Sequence, residues 1–105
     1  MNKTVGVIGG GIAGIETAAS LAELGHNVVL YEKEDSLGGK MNQWHKLFPN
    51  IRSSEEIRDY LHNRAGTPGI TTKTNTMVAA IQKNHKGFYL DTGEKDFVDA
   101  VVICS

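Results

Sequence analysis

Apolar residues in this chain occur in short uninterrupted runs that do not alternate with polar residues. Three such runs, rich in β-branched residues, cover 4–8, 28–31 and 100–104. Runs of this kind are typical of strands that are buried on both faces of a parallel sheet. The pattern therefore predicts three buried strands in one parallel sheet.

Between the first two runs the apolar pattern becomes helical. Apolar residues recur there at spacings of three and four: Ile15, Ala18, Ala19 and Ala22, with Leu21 and Leu24 close to the same stripe. Gly25 follows at the position where a left-handed residue commonly ends a helix. A strand, a helix and a second strand within about 30 residues predict a βαβ unit with a right-handed crossover.

The rest of the chain predicts a loop, a second helix and several short strands. The expected bounds are a loop over 34–52, a helix from Ser53 to Gly66, a strand over 70–74, and a hairpin of strands at 77–82 and 87–91. Ser53 and Glu56 have the spacing of a capping box, which supports that helix start. Phe97 is expected to lead into the last strand.

Glycine changes this picture at the front of the chain. The 105 residues include 12 glycines, and eight of these lie within the first 39 residues. Such a backbone must turn tightly or approach a ligand closely. Gly6, inside the first strand, is expected to let a neighbouring side chain pack closely.

Charge and cysteine content exclude several classes of partner. Eleven basic and 12 acidic residues give a net charge of −1, so no field of one sign favours nucleic acid or an anionic membrane. No apolar stretch approaches the roughly 20 residues that span a bilayer. Cys104 is the only cysteine, which excludes an internal disulfide and a four-cysteine metal site. We expect one cytoplasmic domain without metal, nucleic-acid or membrane partners.

The strongest motif is Gly-Gly-Gly-Ile-Ala-Gly at 9–14, which has the form G-x-G-x-x-G. It follows a predicted strand, opens a predicted helix, and is followed by an acidic residue at the end of the second strand, as a dinucleotide-binding fingerprint requires. Gly9 permits the tight turn, Gly11 lets a pyrophosphate approach the backbone, and Gly14 lets the helix pack closely. The alternative is that these glycines only shape a turn in another α/β fold.

Two further features of the fingerprint favour a dinucleotide. The helix N-terminus at Ile12 and Ala13 offers free N–H groups and a partial positive charge to phosphates. Glu32 can accept hydrogen bonds from a ribose diol. Its carboxylate also repels a 2′-phosphate, which disfavours NADP at this site.

The motif that follows Glu32 directs the choice of dinucleotide. Asp-Ser-Leu-Gly-Gly-Lys-Met occupies 35–41, and the whole segment 5–40 resembles the FAD domain of the two-dinucleotide-binding-domain flavoproteins, the glutathione-reductase-like class. The resemblance implies that Gly38 and Gly39 let the backbone pass the cofactor. It also implies that Lys40 faces the cofactor phosphates and that Lys33 lies beside the adenosine ribose.

The resemblance continues towards the end of the chain. Residues 76–78 are similar to the family segment whose backbone contacts adenine, at Val78. The hairpin at 77–91 matches the β-meander that replaces the third crossover helix in these domains. Residues 101–105 resemble a run that normally reads Val-Val-hydrophobic-Ala-Thr-Gly. The resemblance places Cys104 at the position of the Ala and among the cofactor-binding positions. We expect Cys104 to be a small buried strand residue.

Within this class, the segment 38–51 resembles FAD-dependent oxidoreductases that are related to the A subunit of heterodisulfide reductase. The cysteine clusters that hold iron–sulfur centres in those proteins are absent from this sequence. The redox cysteine pair that follows Gly-Gly in the disulfide reductases is replaced by Met-Asn-Gln-Trp at 41–44. Disulfide chemistry at that position is therefore excluded.

Taken together, the residues and the resemblance predict an α/β fold: a Rossmann-like parallel sheet with a βαβ fingerprint and a small antiparallel β-meander crossover. Residues 1–105 are expected to be the N-terminal FAD/NAD(P)-binding fragment of a larger flavin-dependent oxidoreductase, inactive in isolation. It would hold the ADP part of FAD, with NAD(P)H bound by a later domain and a homo-oligomer allowed. The alternatives are an NAD-binding dehydrogenase module and a non-catalytic dinucleotide-fold binding module.

No residue is assigned as a catalytic acid, base or nucleophile. His26 is expected to be a solvated turn residue. Arg52, Arg58 and Arg64 are spaced six apart, so they do not share one helix face, and they are expected to be solvated charges.

Overall fold

The structure is a computed structural model that describes residues 3–34 and 54–104. The elements within those residues are β1 (Thr4–Ile8), α1 (Ile12–Glu23), β2 (Asn27–Tyr31), α2 (Ser54–Ala65), β3 (Ile70–Lys73), β4 (Ala80–Asn84), β5 (Gly87–Asp91), β6 (Lys95–Val98) and β7 (Ala100–Ile103). The predictions for Gly38, Gly39, Lys40 and Ser53, and most of the predicted loop, lie outside the described residues.

Four strands form a parallel sheet in the order β3-β2-β1-β7. Thr4 to Ile8 pair in register with Asn27 to Tyr31, and Val5 to Ile8 pair with Ala100 to Ile103. The predicted α/β fold with a parallel sheet is therefore confirmed. Because all four strands run the same way, the segments that follow them meet at one edge of the sheet.

Helix α1 covers one face of this sheet. Its buried residues are Ile12, Gly14, Ile15, Ala18, Ala19 and Ala22, and the side of the sheet beneath it contributes Val5, Val7, Val28 and Leu30 to the same core. Leu24 was expected near this stripe, but it is 76 % exposed because the helix ends there, with Leu24 as its C-cap. Gly25 follows with φ of +96°, the left-handed conformation that ends helices.

Helix α2 packs against α1, with Leu61 buried in the shared core. The expectation that Arg64 is a solvated charge is wrong. Its guanidinium contacts Glu16 at 3.3 Å and Glu23 at 3.2 Å, both on α1. The sequence spacing could not show this, because the partners lie on another helix. The side chains of Arg52 and Arg58 lie outside what the structure describes.

The β-meander is an antiparallel sheet in the order β4-β5-β6. Its first strand begins at Ala80, three residues later than predicted. The strand β6 was not predicted: Phe97, which was expected only to lead into the last strand, belongs to β6 and pairs with Tyr89. Asp99 separates β6 from β7: its carboxylate accepts the Thr4 N–H at 2.8 Å, and its own N–H donates to the Thr4 carbonyl.

The meander covers the second face of the parallel sheet. Tyr31, Leu90 and Val98 form a separate buried cluster there. A Cβ atom added at Gly6 would lie 3.0 Å from a methyl group of Leu90, so the close packing predicted at Gly6 is confirmed. The fold thus has three layers, with the parallel sheet between the helices and the meander. Within the described residues, no helix has the length and apolar character needed to cross a bilayer.

Candidate functional site

The carboxyl edge of the parallel sheet brings three of the predicted site segments together. The Gly9 N–H donates to the Tyr31 carbonyl at 2.8 Å, and the Cys104 N–H donates to the Ile8 carbonyl at 2.8 Å. The turn after β1 therefore lies between the end of β2 and the end of β7. This follows from the strand order, in which β1 lies between β2 and β7.

Gly9 and Gly14 are held in direct contact with backbone. Gly9 has φ of +111°, and a Cβ there would overlap the carbonyl oxygen of Cys104. A Cβ at Gly14 would overlap the carbonyl oxygen of Gly9. Neither position has room for a side chain, so the start of α1, the glycine turn and the end of β7 form one tightly packed unit.

Gly11 differs from its two neighbours in the motif. A Cβ added there would meet no atom within 4 Å, and its φ of −75° is open to any residue. Gly11 is the N-cap of α1, and no side chain caps the helix or places an acid in its first turn. The first helical N–H to donate within the helix is that of Ile15, to Gly11. The N–H groups of Ile12 and Ala13 are thus open to an anion above Gly11.

Glu32 is fixed through both carboxylate oxygens. Oε1 accepts the Gly10 N–H at 2.8 Å, and Oε2 accepts the Glu34 N–H at 2.8 Å. The bond to Gly10 ties the end of β2 to the glycine turn, a role that sequence reasoning missed. An ionised carboxylate has about four acceptor positions, so two positions remain for hydroxyl groups of a ligand.

The segment around Val78 lies beside the same acid. The Thr76 N–H donates to the Glu32 carbonyl and the Asn75 N–H to the Glu34 carbonyl, both at 2.8 Å. Val78 is half-buried, and its side chain packs against the cluster that contains Tyr31. Lys33 is exposed between the two acids. The structure therefore brings Lys33 and the Val78 segment to the edge where Glu32 lies.

Cys104 lies immediately after β7, and it is half-buried, whereas a buried strand residue was expected. Its carbonyl oxygen packs on Gly9, and its Sγ lies 3.7 Å from the Thr17 hydroxyl. β7 ends at Ile103, one residue earlier than predicted, because its partner strand β1 ends at Ile8, which pairs with Ile103. Cys104 thus shapes the floor of the site mainly through its backbone.

Two polar residues outside the predicted site also have partners that the sequence did not reveal. His26 follows the turn at Gly25, as expected, and is half-buried; its Nδ1 accepts the Lys3 N–H at 3.3 Å in an exposed hydrogen bond. Asp96 accepts hydrogen bonds from the Tyr31 hydroxyl and the Lys73 ammonium, each at 2.9 Å. A tyrosine ending an aliphatic run was the one available signal, since a buried hydroxyl needs a partner.

The ionisation states of Tyr31 and Asp96 follow from their burial and their hydrogen bonds. Burial raises the pKa of the Tyr31 hydroxyl, and its hydrogen bond to Asp96 raises it further. The hydrogen bond from Lys73 lowers the pKa of Asp96, burial acts against it, and the Tyr31 hydroxyl adds to the lowering. Asp96 therefore stays ionised and Tyr31 stays neutral at ordinary pH.

The sequence and fold of this chain are similar to those of known proteins. The family model of pyridine nucleotide-disulphide oxidoreductases matches residues 1–105. The chain belongs to this family. The resemblance to glutathione-reductase-like flavoproteins is thereby confirmed, and the chain is a domain of a flavin-dependent family of oxidoreductases.

This chain is similar in sequence to a heterodisulfide reductase component and in fold to two oxidoreductase structures. A component of the ferredoxin/F(420)H(2)-dependent CoB-CoM heterodisulfide reductase of Methanosarcina acetivorans is 50 % identical over 95 residues, which are 90 % of this chain and 12 % of that protein. A pyridine nucleotide-disulfide family oxidoreductase from Enterococcus faecalis matches with a TM-score of 0.69 and 18 % identity, over 97 % of this chain and 22 % of that one. An FAD-dependent pyridine nucleotide-disulphide oxidoreductase from Desulfovibrio vulgaris matches with a TM-score of 0.66 and 18 % identity, over 97 % and 24 %.

The chain spans a small part of each of these proteins, 12 % of the Methanosarcina protein and at most 24 % of the two structures. At these identities the two structures establish the fold of this oxidoreductase domain. The match to the heterodisulfide reductase component agrees with the relationship suggested by the residues after the Gly-Gly pair.

Proposed function

We propose that the chain is the FAD-binding domain of a flavin-dependent oxidoreductase and that it holds the ADP part of FAD. The observation that carries this proposal is the pairing of Glu32 with Gly10 beside the open space at Gly11. One acidic acceptor and one anion-binding helix end thus lie side by side at a sheet edge, where open α/β sheets bind their ligands.

The phosphate part of the ligand would lie above Gly11. The missing side chain leaves room there, and the N–H groups of Ile12 and Ala13 point from the helix N-terminus. About half a positive charge resides at such a helix end. No acidic side chain in the first turn competes with a pyrophosphate.

The adenosine ribose would lie against Glu32. The carboxylate is already oriented by the N–H groups of Gly10 and Glu34, so little ordering cost remains when two ribose hydroxyls bind. A ribose that carried a 2′-phosphate would bring like charges together, which disfavours NADP. Lys33 would flank the ribose, and the backbone at Val78 would contact the adenine.

The choice of FAD over NAD is supported by the family and by the sequence after Glu32. Gly38, Gly39 and Lys40 match the element that passes the ribityl and pyrophosphate in the flavoproteins this chain resembles. The Desulfovibrio vulgaris relative is described as FAD-dependent. A bound flavin supplies the redox chemistry, and the residues of this chain bind and orient it.

The organisation of the whole protein belongs to the same proposal. We infer that residues 1–105 form one dinucleotide-binding domain and that NAD(P)H binds to another domain. This fits a chain that spans 12 % of its Methanosarcina relative. The isolated chain would be inactive, since no residue here is assigned as an acid, a base or a nucleophile. It would bind FAD weakly, since it would hold only the ADP part of the cofactor. Micromolar affinity of the isolated chain for FAD would contradict this last point.

Titration of the cofactor-free product of the complete reading frame tests the proposal. We expect FAD and ADP to bind competitively and FMN, which lacks the ADP part, not to compete. Tighter binding of NAD than of FAD would favour a dehydrogenase module. Failure of all four ligands to bind would favour a non-catalytic module that keeps only the fold.

A further inference from the structure

Asp96 joins the two sheets through a polar cluster with Tyr31 and Lys73. Its Oδ2 accepts the Tyr31 hydroxyl and the Lys73 ammonium, each at 2.9 Å. The Lys73 ammonium also lies 5.8 Å from the centre of the Tyr31 ring. Tyr31 is 1 % exposed and the Asp96 side chain 18 %. Bonds from a charged donor in such a partly buried place are stronger than neutral ones.

The two donors lie at the end of the strands that lead into the candidate site. Tyr31 and Lys73 are register partners on β2 and β3. The Tyr31 carbonyl accepts the Gly9 N–H at 2.8 Å, and the Lys73 carbonyl accepts the Glu32 N–H at 2.9 Å. The residues that Asp96 holds by their side chains thus hold Gly9 and Glu32 by their backbones.

These bonds form a closed path. Glu32 Oε1 accepts the Gly10 N–H, so the acid and the glycine turn are joined to each other as well as to the pair held by Asp96. A shift of Tyr31 relative to Lys73 would move Glu32 relative to Gly9. The other carboxylate oxygen accepts the Glu34 N–H.

We propose that Asp96 is a positioning residue for the ribose-binding carboxylate of Glu32. It acts through Tyr31 and Lys73, and it comes from the meander, which contributes no group to the phosphate turn. The inference rests on the proposed function, since it takes Glu32 to bind the adenosine ribose. Removing the charge at position 96 weakens the contact between the ends of β2 and β3, and Glu32 then binds the ribose diol less tightly.

A comparison of two nucleotides isolates the ribose contact. The cofactor-free product of the complete reading frame is titrated with ADP and with 2′,3′-dideoxy-ADP, which lacks both hydroxyls. We expect the unmodified protein to prefer ADP by about tenfold or more, the usual worth of hydrogen bonds to a charged acceptor. Asp96→Asn is expected to cut this preference to about threefold or less while leaving the affinity for dideoxy-ADP unchanged.

Matched variants separate positioning from general destabilisation. Asp91→Asn removes a carboxylate of the same meander that accepts a local bond from the Gly93 N–H, and it is expected to keep the full preference. Glu32→Ala is expected to abolish the preference. Adding Asp96→Asn to Glu32→Ala is then expected to change nothing further, since the two residues act on one contact.

Equal losses of affinity for both nucleotides in Asp96→Asn would overturn the inference, because a purely structural role predicts that result. Tyr31→Phe gives a second test if Asp96→Asn does not fold, since it removes one hydroxyl and keeps the buried ring. It is expected to reduce the preference by about two- to fivefold, and an unchanged preference overturns the inference.

An unmodified protein that binds neither nucleotide overturns the proposed function itself. If the unmodified protein prefers ADP and Asp96→Asn shows the same preference, this inference is overturned and the proposed function is not.

Discussion

The carboxylate of Glu32 accepts the backbone N–H of Gly10 at 2.8 Å. This bond joins the acid at the end of the second strand to the glycine turn after the first. The second oxygen is taken by the Glu34 N–H. Glu32 therefore has a structural role as well as the ribose-binding role proposed for it, and the two roles can be separated by experiment.

Glu32→Gln is expected to weaken the fold as well as ligand binding. A glutamine offers one acceptor oxygen, so the N–H of Gly10 or of Glu34 would face an amide NH₂ group. Leaving a buried donor unsatisfied costs about 1–3 kcal/mol, and the loss should lie at the low end because the bond to Glu34 is exposed. Urea denaturation without ligand measures this change. Glu34→Gln is the control, since it changes the adjacent exposed acid. Equal stability of Glu32→Gln and the unmodified protein would show that the second carboxylate oxygen of Glu32 does not stabilise the fold.

Gly11→Asn and Gly11→Asp are expected to block nucleotide binding without weakening the fold. Both residues are favoured at a helix N-cap, the backbone there is in the extended region, and a Cβ meets open space. Affinity for ADP is expected to fall by more than about tenfold for Asn, and further for Asp because its charge repels phosphate. Calorimetric titration and thermal unfolding measure the two effects. ADP affinity that is unchanged in both variants would place the phosphates elsewhere.

Gly14→Ala is expected to destabilise the fold although alanine is the better helix former. Its Cβ would overlap the Gly9 carbonyl oxygen, so α1 must move away from the turn, at a cost of about 1–3 kcal/mol. Helix propensity alone predicts a gain of about 1 kcal/mol. Gly11→Ser, whose side chain meets open space at a helix N-cap that favours serine, is the control. A more stable Gly14→Ala variant would show that the close contact can relax freely.

The Asp96 carboxylate is expected to make stability depend on pH at the acid end. Its pKa is lowered in the folded protein, chiefly by Lys73. The stabilisation is therefore fully present above the ordinary aspartate pKa of about 3.9 and is lost as the pH falls through the lower folded value. The unmodified protein should exceed Asp96→Asn in stability at neutral pH, and the difference should shrink below about pH 4. A difference that stays constant down to strong acid would contradict this.

The parts of the site that the sequence predicted share one property: each depends on the local chain. The order strand, glycine turn, helix and second strand places Gly9, Gly11 and Glu32 at one sheet edge whenever the strands are parallel. The packing at Gly6 followed from the same local pattern, because a glycine in a buried strand marks a close neighbour.

The parts that the sequence did not predict depend on contacts between distant segments. Tyr31 and Asp96 are 65 positions apart, and only the docking of the meander on the sheet brings them together. The strand at 95–98 was missed because it is four residues long and begins with two charged residues, Lys95 and Asp96. The ion pairs of Arg64 were also not predicted, because its partners Glu16 and Glu23 lie on another helix, more than 40 positions away in the sequence.

The cofactor carried by the purified product of the complete reading frame tests the central claim most directly. Protein denaturation followed by chromatography and mass spectrometry identifies the released cofactor and its amount per chain. We predict FAD at close to one equivalent in the unmodified protein and its loss in Gly11→Asp, with unchanged thermal stability of the cofactor-free forms. Release of NAD in place of FAD, or full retention of FAD in Gly11→Asp, would contradict the account.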